Sequence, residues 1–62
     1  MKPYCKVHKS GAWVTMDKQG AAGMYEVKVY TAAGMLRDKV RCDDYRDALE
    51  YRRAFNAIAR NG

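Results

Sequence analysis

Apolar and polar residues alternate along the first two thirds of this chain, and then the period changes. In residues 3–9, PYCKVHK, Cys5 and Val7 fall on one side of an extended backbone and Tyr4, Lys6 and His8 on the other. Period two marks a strand with one buried face. Lys9-Ser10-Gly11 signals a turn, and residues 12–16, AWVTM, read as the returning strand with Trp13 as its largest side chain. Residues 17–23, DKQGAAG, hold two of the five glycines and read as a loop joining two hairpins. In residues 24–31, Tyr25, Val27 and Val29 form an apolar face against Glu26, Lys28 and Tyr30. In residues 35–42, Leu36, Val40 and Cys42 share one face, and Arg37, Lys39 and Arg41 share the other.

The register of this second hairpin follows from burial, because a slip of one residue turns every side chain to the opposite face. An even loop, Ala33-Gly34, sets Val29 against Asp38, Val27 against Val40 and Tyr25 against Cys42. On the other face it sets Tyr30 against Arg37, Lys28 against Lys39 and Glu26 against Arg41. A three-residue loop would bring Arg37 and Lys39 beside Val29 and Val27, so burial selects the even register. Asp38 is the misfit, expected at an edge or beside a basic residue.

From Asp44 to Arg60 the period becomes helical. Ala48, Tyr51, Phe55, Ile58 and Ala59 gather on one face, with Tyr45 and Leu49 on its flank. Asp43 and Asp44 supply an N-cap, and Asn61-Gly62 a stop. The expected fold class is α+β: a four-stranded antiparallel meander of two hairpins, with one C-terminal helix packed on one face. Residues 1–62 form a single domain. Trp13, Tyr25, Tyr51 and Phe55 are expected in the core, and Tyr4 and Tyr30 on the surface.

Composition adds a bias. A chain of 62 residues buries only about 60% of the surface it exposes when unfolded, so its stability is expected to be modest. The net charge of +5 favours anionic partners, nucleic acid first and an acidic protein surface second. No apolar leader follows Met1, and no apolar run reaches the length of a membrane span. A cytoplasmic chain with no membrane partner is expected. Cys5 and Cys42 are then reduced, small core residues.

A repeat stands out. Residues 21–31, AAGMYEVKVYT, and 32–42, AAGMLRDKVRC, share Ala, Ala, Gly and Met, then Lys and Val. Glycine-rich loops cradle phosphate when they follow a strand and open a helix. Both copies here open a strand, so each reads as a turn in which glycine supplies an unusual φ.

The polar sheet face carries the functional expectation. Lys28 opposite Lys39 is a like-charged pair, and Arg37, Arg41 and Tyr30 lie beside it. Tyr4, Lys6 and His8 are expected on the same face. Cations interleaved with tyrosines suit phosphates and stacked bases. The expected nucleic-acid-binding set is Lys6, Lys28, Tyr30, Arg37, Lys39 and Arg41. Its rival is a solvated face with edge lysines that prevent aggregation.

On the helix, Arg46, Arg53 and Arg60 form a stripe, which Glu50 at spacings of four and three is expected to neutralise in part. Arg52 is expected to lay its stem along the apolar face. His8, Cys5 and Cys42 are too few for a zinc site, and His8 with Ser10 lacks a third catalytic member. Neither a cofactor nor catalysis is expected. The alternative function is an inhibitor or adaptor, encoded by a phage or mobile element, that docks an acidic partner or pairs through a sheet edge. A homodimer formed by edge pairing is a third option.

The order hairpin, hairpin, then a helix opening Asp-Tyr-Arg-Asp-Ala-Leu resembles the DNA-binding arm domains of tyrosine recombinases over residues 12–60. The resemblance implies a sheet presented to DNA and backed by one helix. It assigns no individual residue a role.

Overall fold

A computed structural model describes residues 3–19 and 23–62, with Gln19 described by its backbone alone. Five elements follow in order: β1 (Tyr4–Val7), β2 (Trp13–Gln19), β3 (Met24–Tyr30), β4 (Leu36–Cys42) and α1 (Tyr45–Arg60). The strands form one open antiparallel sheet in the order β1-β2-β3-β4, and α1 packs on one face of it. This is the α+β meander expected. β2 runs three residues further than its apolar pattern, because β3 pairs with it as far as Gln19↔Met24. Residues 20–22, including the first two positions of the repeat, lie outside the described residues.

The core joins Val14 and Met16 of β2, Val27 and Val29 of β3, Ala12, and Ala48, Phe55 and Ala59 of α1. The two alanines let the helix approach the sheet closely while Phe55 fills the space between them. The Asp44 side chain caps the helix by accepting the Arg46 backbone N–H at 2.9 Å. Ser10 Oγ donates to the Ala59 carbonyl at 2.6 Å and ties the first turn to the last turn of α1. Tyr51 departs from expectation. It lies at the margin of the buried stripe, 44% exposed, with its ring tilted against Phe55.

The second hairpin resolves a conflict between turn chemistry and burial. Its loop has three residues: Gly34 N–H donates to the Thr31 carbonyl, and Thr31 N–H to the Met35 carbonyl, both at 2.9 Å. Gly34 has φ +90°, the conformation that closes such a loop. An odd loop alone would put Arg37 and Lys39 in the core. One irregularity beside Arg37 restores the expected pairs Val29↔Asp38, Lys28↔Lys39, Val27↔Val40, Glu26↔Arg41 and Tyr25↔Cys42. The bulge also corrects two expectations. Tyr30 pairs with Leu36 instead of Arg37, and Leu36 leaves the core side to stand 49% exposed. Asp38 is exposed on the edge strand β4, where its Oδ1 accepts the Lys39 backbone N–H at 2.7 Å.

The first hairpin is inverted relative to expectation. Its loop is Lys9-Ser10-Gly11, with His8 N–H donating to the Ala12 carbonyl and Gly11 at φ +92°. The resulting register is Tyr4↔Met16, Cys5↔Thr15, Lys6↔Val14 and Val7↔Trp13. Because Val14 and Met16 point at the helix, Tyr4 and Lys6 share the helix side, while Cys5 and Val7 face away. Trp13 and Cys5 therefore leave the core positions expected of them. The physical reason is rank among strands. β2 is central and buries Val14 and Met16 completely, whereas β1 is a four-residue edge strand whose facing is imposed by the turn.

Candidate nucleic-acid interface

The sheet face turned away from α1 is organised in rows across the strands. The first row runs Val7, Trp13, Tyr30, Leu36. The second runs Cys5, Thr15, Lys28, Lys39, and the third Asp17, Glu26, Arg41. The first row is apolar from edge to edge, and Val7 is 66% exposed. At its centre the Trp13 and Tyr30 rings stack, with centroids 4.9 Å apart and planes 14° from parallel.

The other two rows hold charge around one buried carboxylate. Glu26 is 5% exposed although it lies on the uncovered face. Its Oε1 is 3.0 Å from Lys28 Nζ, and its Oε2 accepts from Arg41 Nε at 2.8 Å. The Arg41 hydrogen bond first, and then that of Lys28, lower the Glu26 carboxyl to about 2 against the opposing effect of burial. The hydrogen bond to Glu26 in turn raises the Lys28 ammonium. Glu26 thus relieves the like-charge conflict between Lys28 and Lys39.

Five of the six residues expected to bind sit on this side or at its rim. Lys28 and Arg41 are engaged by Glu26, while Tyr30 stacks on Trp13. Arg37 at the bulge and Lys39 are exposed, and among the described residues neither has an ion-pair partner. Lys6 is the correction. Opposite Val14, it is an exposed residue on the helix side of β1 and does not join the other cations. Tyr4 and His8 are likewise bound to the helix. Asn56 Nδ2 donates to Tyr4 Oη at 3.1 Å, and its Oδ1 lies 2.8 Å from His8 Nε2.

Trp13, expected in the core, belongs instead to this face. Its signal was available: Val14 and Met16 alternate with Trp13, Thr15 and Asp17 once the strand is followed to its full length. The expected neutralisation of the arginine stripe by Glu50 is absent, since among the described residues Glu50 pairs with neither Arg46 nor Arg53. Arg52 packs on the Tyr4 ring, with its guanidinium carbon 4.2 Å from the ring centroid. No metal-ligating group of three His, Cys, Asp or Glu residues occurs among the described residues. No described helix is long and apolar enough to cross a membrane. Comparison with protein-family models, curated proteins and solved structures finds no match.

Proposed function

We propose that this chain binds nucleic acid through its uncovered sheet face, as a binding module and not as an enzyme. The observation that carries the proposal is the Trp13–Tyr30 ring stack, which shares a solvent-facing sheet surface with Lys39, Arg41 and the bulge residue Arg37. Aromatic rings on an open sheet offer π-faces to unstacked bases, and flanking cations neutralise the phosphates between them. Trp13 and Tyr30 supply the stacking platform. Arg37 and Lys39 supply free charge, while Lys28 and Arg41 contribute from within the Glu26 network. Lys6 has no part in this face.

Trp13 is the single tryptophan, so its fluorescence reports on the proposed platform directly. Titration with single- and double-stranded oligonucleotides at low salt should quench it. Affinity should fall steeply with added salt, and less steeply after Arg37→Ala/Lys39→Ala. Absence of binding to either nucleic acid at low salt would refute the proposal.

One observation favours a second reading, in which the same face docks a protein. Val7 and Leu36 are large apolar residues that are 66% and 49% exposed at the two ends of the row that holds the aromatic pair. Apolar and aromatic residues in one patch are the composition of interface centres. Recovery of one protein partner that survives nuclease treatment would favour this reading. Sedimentation at several concentrations separates a foreign partner from a second copy of the chain.

A further inference from the structure

The helix α1 separates charge. Its buried residues Ala48, Phe55 and Ala59 face the sheet. At 100° per residue, Asp47, Glu50, Tyr51 and Ala54 occupy one flank of that stripe, and Leu49, Arg52, Arg53, Asn56 and Arg60 occupy the other. The second flank meets β1 across a groove of about 290 Å³ lined by Tyr4, Leu49, Arg52, Arg53, Asn56 and Arg60. Among the described residues, three arginines line it and no carboxylate does. On the open sheet face, by contrast, Glu26 and Asp17 offset part of the charge.

The groove is also built. Arg52 is held by a cation–π contact, its guanidinium carbon 4.2 Å from the Tyr4 ring centroid. Asn56 is held by Tyr4 Oη on one side and His8 Nε2 on the other. Because Tyr4 Oη accepts from Asn56, its own O–H hydrogen remains free to donate. The guanidinium carbon of Arg52 lies over the Tyr4 ring, and the group carries five N–H donors for an acceptor. Hydroxyl, amide and guanidinium donors therefore converge with no acceptor charge among them, the donor set that phosphate oxygens require.

We propose that the groove between β1 and α1 is a phosphate-binding site, with Arg52 and Tyr4 as its fixed floor and Arg53 and Arg60 as its rim. Its ligand is a phosphate-bearing anion, either a free polyphosphate or a nucleic-acid backbone. The site lies on the helix side of the sheet and stands independently of the sheet-face proposal.

The test follows backbone and side-chain N–H resonances of the full chain by NMR. Inorganic pyrophosphate is titrated in one arm and a single-stranded thymidine oligonucleotide in another. Saturable shifts are expected at Asn56, Arg52, Arg53 and Arg60, with the Trp13 indole N–H unmoved by pyrophosphate. Both rim arginines are exposed, so Arg53→Ala/Arg60→Ala should keep its fold by circular dichroism and weaken binding by roughly tenfold or more. Arg46→Ala, on the same helix but outside the groove, should leave it unchanged.

Groove shifts with pyrophosphate support a free polyphosphate source. Groove shifts confined to the oligonucleotide arm support the backbone source. Silence of the groove in both arms overturns the proposal, as do shifts spread evenly over all basic residues or an equal loss in Arg46→Ala. Oligonucleotide shifts at the Trp13 indole alone would overturn the groove while leaving the sheet-face reading intact.

Discussion

Trp13 and Tyr30 are cross-strand partners on β2 and β3, and their rings stack at 4.9 Å on the face the helix leaves open. A stack of this kind stabilises a sheet by about 0.5–1.5 kcal/mol beyond the area it buries. Here it also holds two flat rings in the position proposed for contact with bases. Trp13→Ala and Tyr30→Ala should each lower oligonucleotide affinity by about 1–3 kcal/mol. Tyr30→Phe should keep the affinity, because the ring and not the hydroxyl is used. Binding curves at fixed salt test this, with thermal melts to confirm that the variants remain folded.

Glu26 connects stability to pH. Its carboxyl sits at about 2, below the ordinary 4.5, through its hydrogen bonds to Arg41 and Lys28. A carboxylate held more acidic in the folded chain than in the unfolded one stabilises the fold above pH 4.5. That contribution declines as pH falls from 4.5 towards 2. Glu26→Gln should cost about 1–3 kcal/mol at pH 7. The gap between wild type and variant in urea melts should narrow through that acid window. A gap that stays constant from pH 7 to pH 2 would contradict the assignment.

The two tight turns predict an ordered pair of effects. Gly34 has φ +90°, but a methyl group there would meet only Trp13 Cη2, at 3.9 Å. Gly34→Ala should therefore cost about 1–2 kcal/mol from the left-handed backbone alone. Gly11 has φ +92°, and its methyl would approach Ala32 Cβ to 2.9 Å, because the two hairpin turns touch. Gly11→Ala should be the more damaging of the two. Denaturation midpoints rank them.

Phe55 and Tyr51 are adjacent rings with unequal roles. Phe55 is buried in the core, whereas Tyr51 is 44% exposed. Phe55→Ala should cost about 3–5 kcal/mol. A chain of this size has only about 3–9 kcal/mol of total stability at typical values per residue, so the variant should be largely unfolded at 37 °C. Tyr51→Ala should stay folded. Circular dichroism melts distinguish them.

The cysteines should differ in reactivity. Cys5 is exposed on β1, while Cys42 is half-buried opposite Tyr25. Burial first, and then Asp47, Asp43 and Asp44, raise the Cys42 thiol and keep it protonated. At neutral pH a maleimide should label Cys5 well before Cys42, as read by mass spectrometry of the digested chain. The two sit on opposite edge strands, so no disulfide should form within one chain.

Local pattern by itself determined the elements of this protein. Alternation marked β3 and β4, and the 3.6-residue period with an Asp44 cap marked α1. The need to bury Val27 and Val29 set the register of the β3–β4 pair. Each of these rests on neighbours in sequence, where side-chain spacing and burial agree. Tertiary structure decided what local pattern could not. The facing of β1 was passed to it by a glycine turn from β2, so its own alternation misled, and Lys6 and Trp13 changed sides together. The bulge beside Arg37 arose because a three-residue loop and an even register were both required. The Tyr4–Asn56–His8 network and its arginine groove join residues some fifty positions apart. An edge strand and an exposed helix flank carry little burial of their own. Their placement follows from the sheet and helix meeting, which sequence spacing does not encode.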